Sequence, residues 1–155
     1  MEAPVNYARM GIESYLHEHI PLSASMGVRV KVATPERVEL WLPLAPNVNH
    51  QRTVFGGSAA AAATLAAWTL LQLRLDRLKA DDAQLVVQRS ATEYKWPITG
   101  DFEAVCTFDD EATWASFERA LARRGRARLT VGARLIQEAR EVVTFAGDFV
   151  ALRDR

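Results

Sequence analysis

The sequence predicts an α+β domain in which one long antiparallel sheet wraps around a single central helix. Three observations predict it. The segment Val54–Leu73 runs for 20 residues without a charge, and a helix apolar on every side must be enclosed on every side. Elsewhere apolar and polar residues alternate with a period of two, the pattern of half-buried strands. The order of elements is helix, two strands, buried helix, two strands, short helix, two strands. The apolar face of such a sheet needs a helical partner, and the central helix supplies it. With 155 residues, 49% of them apolar and 25% charged, residues 1–155 read as one globular domain.

Taken in order, Asn6–His19 has apolar or small residues at Tyr7, Met10, Gly11, Ser14, Tyr15 and Leu16. That spacing predicts a short amphipathic helix, ended by Pro21. Val28, Val30 and Val32 alternate with Arg29 and Lys31 as a first strand. Thr34-Pro35-Glu36 turns the chain, and Val38, Leu40, Leu42 and Leu44 complete a hairpin. Pro43 and Pro46 close it and lead into the turn-rich Asn47-Val48-Asn49-His50. The central helix follows Gly56-Gly57, with Ser58 at the N-cap and the pattern reaching about Leu78. Strands at Gln84–Trp96 and Asp101–Phe108 come next, then a surface helix over Thr113–Arg123. Strands Arg126–Gln137 and Glu141–Arg153 close the domain, joined tightly through Glu138-Ala139-Arg140.

Composition excludes several classes of function. Nineteen basic residues balance 19 acidic ones, so no global field recruits nucleic acid or an anionic membrane. The charge-free segment has the length of a bilayer span. Its two glycines, seven alanines, Ser58, Thr64, Thr69 and Gln72 leave it too weakly hydrophobic, and a buried helix is the better reading. Met1–Val5 lacks the basic stretch and apolar core of a signal peptide, so a cytoplasmic location is expected. A single cysteine, Cys106, excludes a disulfide framework and a thiolate zinc cluster; it reads as inert core. His17 and His19 are two apart on a helix and make a poor metal pair. No metal or redox cofactor is expected.

The segment Asn47-Val48-Asn49-His50-Gln51-Arg52-Thr53-Val54-Phe55-Gly56-Gly57-Ser58 resembles the signature of the hotdog-fold thioesterase superfamily. There an asparagine, a loop and a glycine pair lead into the central helix. Ile20-Pro21-Leu22 with Met26-Gly27-Val28, and Pro97-Ile98-Thr99-Gly100-Asp101, resemble flanking parts of the same pattern. Within the superfamily the chain is most similar to the thioesterase branch typified by the C-terminal domain of bacterial YiiD, over roughly residues 20–153. The resemblance implies hydrolysis of an acyl-CoA or acyl-carrier-protein thioester. It also implies a homodimer or dimer of dimers whose active sites use both chains. The alternative from another class is a non-catalytic acyl-binding or regulatory module of this fold.

Thioester hydrolysis needs a stabilised oxyanion, an activated water and a slot for the acyl chain. Glycines at a helix N-terminus let a carbonyl approach backbone N–H groups, where the helix dipole also favours negative charge. By its motif match, the Gly56 N–H is the candidate donor, with Phe55, Gly57 and Ser58 bordering the substrate. The plain alternative is a glycine pair that permits a tight turn. No Ser-His-acid order makes Ser58 a nucleophile. Asn49 matches the motif asparagine, which orients water; it can equally close an Asx turn, and one amide can do both. His50 reads as a loop residue.

Thr64 occupies the position where many relatives carry a catalytic carboxylate. A threonine can hold a water but cannot readily take its proton. The first acid beyond it is Asp76, ~18 Å further along the helix. The resemblance implies that the strand Gln84–Trp96 passes the partner subunit's helix terminus, which makes Glu93 the replacement within reach; otherwise it is a solvent-facing carboxylate paired with Arg89 or Lys95. Arg123, Arg124, Arg126 and Arg128, with Arg119 nearby, form one basic cluster. It reads either as a dock for coenzyme A phosphates or an acidic carrier protein, or as a solvated helix end.

Overall fold

Two short helices come first in the computed structural model, which describes residues 11–153. They are α1 (Ile12–His19) and α2 (Pro21–Ser25). Tyr7 and Met10 of the expected first helix lie outside the described residues. Pro21 does more than end α1. It opens α2, because a missing N–H and a fixed φ suit the first helical position.

The chain continues through β1 (Arg29–Ala33), β2 (Arg37–Leu42) and a short 3-10 turn (Ala45–Asn47) into the long helix α3 (Gly56–Arg77). Then come β3 (Ala83–Tyr94), β4 (Phe102–Thr107), α4 (Glu111–Arg124), β5 (Arg126–Gln137) and β6 (Arg140–Arg153). The six strands form one antiparallel sheet in the order β1-β2-β4-β5-β6-β3. The expected α+β architecture, a sheet around one central helix, is the one observed.

Alternation explains the sheet. Along β5, Ala127, Leu129, Val131, Ala133 and Leu135 are buried while Arg126, Arg128, Thr130 and Arg134 are exposed. The buried set joins the core with Leu40, Phe102, Phe149 and the inward side of α3. Glu138 and Ala139, with φ of 48° and 61°, form the two-residue turn whose twist suits a β-hairpin.

The central helix is less enclosed than its composition predicts. Ala59, Ala62, Ala63, Ala66 and Leu70 are buried, but Ala60, Ala61, Thr64 and Trp68 form a half-open stripe. The sheet covers one side of α3, and α1–α2 cover only part of the other. Among the described residues no helix is long and apolar enough to cross a membrane.

The two ends of α3 differ sharply. Its C-terminal turn is bolted by Arg74, which is 3% exposed. Arg74 Nε donates to the Pro35 carbonyl at 2.6 Å, and Nη2 donates to the Phe108 carbonyl at 3.1 Å and to Glu111 at 2.9 Å. The guanidinium also lies 4.6 Å from the Phe108 ring centroid. A buried cation is tolerated only with such complete pairing. Helix α4, by contrast, is capped at both ends. Asp110 accepts the Thr113 N–H at 3.0 Å and the Thr113 hydroxyl at 2.6 Å, and Gly125 closes the helix at φ 68°.

Candidate active site

No side chain caps the N-terminus of α3. The helix begins at Gly56, three residues before the start that an N-cap at Ser58 implies, so Ser58 lies within its first turn and Phe55 holds the N-cap position. The first N–H groups of a helix have no intrahelical acceptor, and here no side chain supplies one. Phe55, itself exposed, folds its ring over Gly57; a Cβ there would fall 2.5 Å from the ring. Gly57 thus keeps both the ring and a bare backbone at the helix start.

The loop before the helix is held from three sides. The Val54 N–H donates to the Ile98 carbonyl at 2.9 Å, and the Phe55 N–H to the Asn47 carbonyl at 2.7 Å. Buried Asn47 donates its amide to the Met26 and Pro43 carbonyls at 2.9 and 2.8 Å. Asn49 uses its carboxamide inside the loop: Oδ1 accepts the N–H groups of Gln51 and Thr53, and Nδ2 donates to Thr53 Oγ1. The Asx-turn role is therefore the one formed.

Beside Gly56 stands Tyr94, which the sequence reading overlooked. Its hydroxyl donates to the Gly56 carbonyl at 3.0 Å. Tyr94, Gly56, Ala59, Trp96 and Ile98 line a cleft of about 320 Å³. Along the half-open side of α3, Ile20, Leu22, Met26, Ala61, Thr64 and Trp68 line a second groove of about 270 Å³. Thr64 donates its hydroxyl back to the Ala60 carbonyl at 2.8 Å, so this groove presents an almost wholly apolar wall. No carboxylate lines either cavity.

Glu93 faces the wrong way to serve its own helix. It pairs with Thr144 on the outer face of the sheet, whereas its neighbours Thr92 and Tyr94 pair with buried Phe145 and Val143. Of the partners expected for it, Lys95 instead donates to Glu141 at 3.0 Å. The arginine cluster also lies apart. Arg123, Arg124, Arg126 and Arg128 are exposed at the end of α4 and the start of β5. Gln137, at the other end of β5, binds Thr99 close to the glycine turn. At the rise of a strand, Arg126 is ~35 Å along β5 from that end. Within one chain the basic cluster and the glycine turn are at opposite ends of the sheet. Cys106 is buried, its thiol donating to the Gly132 carbonyl at 3.3 Å and pushed up to about 12 by burial. It is chemically quiet. Among the described residues no group of three or more His, Cys, Asp or Glu side chains could hold a metal ion.

A family described as "Putative thioesterase (yiiD_Cterm)" matches residues 10–153. The chain belongs to that family. The YiiD C-terminal family match includes the glycine turn, the open helix start and both cavities. Solved structures carry the same fold. A protein of unknown function from Chlorobaculum tepidum TLS is 28% identical over 92% of each chain, with a TM-score of 0.84. A "putative thioesterase" from Shewanella oneidensis is 25% identical, over 94% of this chain and 96% of its own, with a TM-score of 0.79. A Pseudomonas aeruginosa protein described as a probable thioesterase is 21% identical, over 99% of this chain and 100% of its own. Its TM-score of 0.82 shows the shared fold. These likenesses make the six-stranded sheet around α3 a hotdog fold.

Proposed function

We propose that this protein is an acyl thioesterase acting on an acyl-CoA or acyl-carrier-protein thioester, with water as the nucleophile. One observation carries the reading: the glycine-opened N-terminus of α3 has no side-chain cap and borders a cleft. Developing negative charge on a thioester carbonyl meets the Gly56 and Gly57 N–H groups and the positive end of the helix dipole there. Tyr94 acts from behind. Its bond to the Gly56 carbonyl holds the Gly56–Gly57 peptide, and in a trans peptide the Gly57 N–H points the opposite way. Thr64 and its groove receive the acyl chain. Phe55 and Ser58 border the thioester, and Asn49 keeps the loop in shape. Glu93, turned away from its own helix, serves only across a contact with a second copy of the chain.

A second reading has one specific observation in its favour. Among the described residues no carboxylate lines either cavity, as expected of a non-catalytic acyl-binding module. A panel of acyl-CoA and acyl-carrier thioesters, followed by release of free thiol, separates the two. Turnover above the uncatalysed rate is expected. Binding of acyl-CoA without any thiol release would leave the binding module. In an active protein, Tyr94→Phe should lower kcat about two- to tenfold with little change in KM, the size of one net hydrogen bond.

A further inference from the structure

Trp96 stands between two concave surfaces. It lines the cleft that holds Gly56 and also a neighbouring cavity of about 280 Å³ with Thr99, Gln137, Glu138 and Arg140. Trp96 is 51% exposed, and the Arg140 guanidinium lies over its ring, 3.7 Å from the ring centroid. Among the described residues Arg140 has no carboxylate within ion-pair distance. The nearby cations Lys95 and Arg134 share Glu141, at 3.0 and 4.0 Å. Arg140 is therefore the cation at this rim with its charge unspent. The floor is fixed, because Gln137 grips both the N–H and the hydroxyl oxygen of Thr99 at 3.0 Å. The Thr99 hydroxyl proton remains free to donate.

An exposed indole with an unpaired, pre-oriented guanidinium suits one kind of group: a flat base next to a phosphate. Arginine binds phosphate through a rigid fork while its plane stacks on an aromatic ring. Building on the thioesterase reading, we propose that Trp96 and Arg140 bind the adenine and phosphates of coenzyme A. The pantetheine arm then runs through the Trp96–Tyr94 cleft to the thioester at Gly56. The site would select a free acyl-CoA over an acyl carrier protein. Glu138 and Glu141 beside Arg140 make the surface mixed in sign, and an acidic carrier protein would meet them as like charges. The basic cluster at Arg123–Arg128, at the far end of the sheet, has no part in this site.

The test reads binding without turnover. Coenzyme A, dephospho-coenzyme A and pantetheine are titrated by calorimetry into wild type, Arg140→Gln, Trp96→Ala and Glu138→Gln, each checked for an unchanged melting temperature. Coenzyme A should bind wild type and weaken about tenfold in Arg140→Gln and in Trp96→Ala, the scale of one stacked base or one charged contact. Trp96→Phe should restore part of the loss, and Glu138→Gln should tighten binding. Pantetheine, which has neither base nor phosphate, should not distinguish wild type from Arg140→Gln. Equal coenzyme A affinity in wild type, Arg140→Gln and Trp96→Ala overturns the inference. So does pantetheine binding as tightly as coenzyme A, or an acyl carrier protein whose binding depends on Arg140. A protein that binds coenzyme A through Arg140 but releases no thiol would refute the thioesterase and keep this site. An active thioesterase indifferent to both variants would do the reverse.

Discussion

Asn49 and Glu93 show what single residues allowed and withheld. Asn49 was open to two roles, and the structure gives it three hydrogen bonds within its own loop. Asn49→Ala should therefore cost about 1–3 kcal/mol through two orphaned N–H groups and a lost hydroxyl contact. Asn49→Asp, which still accepts both N–H groups, should keep most of that stability. Thermal melts of the two variants check this. An alanine variant that melts like wild type yet loses turnover would return the amide to the chemistry. For Glu93 the direction of the side chain is what the sequence withheld. Counting by twos from buried Leu85 aims Glu93 inward, but the register shifts between Val87 and Arg89 and reverses the parity. One bulged residue sends Glu93 out and Tyr94 in. No side-chain pattern in the sequence marks that bulge, so Tyr94 could not be found from alternation.

At the scale of elements, strands and helices were largely legible because each keeps one clear period. The buried alternation of β5 and the charge-free run of α3 are examples. The start of α3 was not legible. Ser58 is the best capping residue in its stretch, and the rule that finds helix starts assumes that caps are used. Here the cap is absent where a substrate would sit. The other end of α3 carries a testable defect. Asp76 lies in the last turn, where the helix dipole disfavours a carboxylate. Burial raises its carboxyl to about 6 from an ordinary 3.8, and only Oδ1 has a partner, the Gln72 amide at 3.2 Å. A folded pKa above the unfolded one means that the folded state holds the proton more tightly. The resulting stability is present below pH ~4 and is lost as pH rises through about 6. Asp76→Asn should raise the melting temperature at pH 8 and leave it nearly unchanged at pH 4. An equal effect at both values would mean that the charge is not what strains the site.

For the whole molecule, local pattern could not reveal strand order. That β3 pairs with β6, the last strand, is a contact across half the chain, and it leaves β3 as an open edge. The edge is 12 residues long, and Val86 and Val87 stand 50% and 42% exposed along it. Phe55 at the glycine turn and Leu22 in the groove along α3 are exposed as well. A long edge without a partner, apolar at Val86 and Val87, is a template for another chain, and a second copy that pairs β3 with β3 would close it. The expected state is a homodimer at micromolar concentration by sedimentation velocity. Val86→Lys with Val87→Lys should shift it to monomer. A wild-type monomer under those conditions would overturn the shared-site arrangement.

The bolt at Arg74 has a consequence for how the protein tolerates change. It fastens three stretches distant in sequence, around Pro35, Arg74 and Phe108–Glu111, at one pole of the molecule. The opposite pole, where α3 starts, relies on glycines, a loop and an unfilled cap. Rigidity is thus stored away from the place where a substrate would be handled. New specificities can be sought by varying residues around the open pole while the anchored pole absorbs the loss of stability. Changes at the anchor itself leave no such margin.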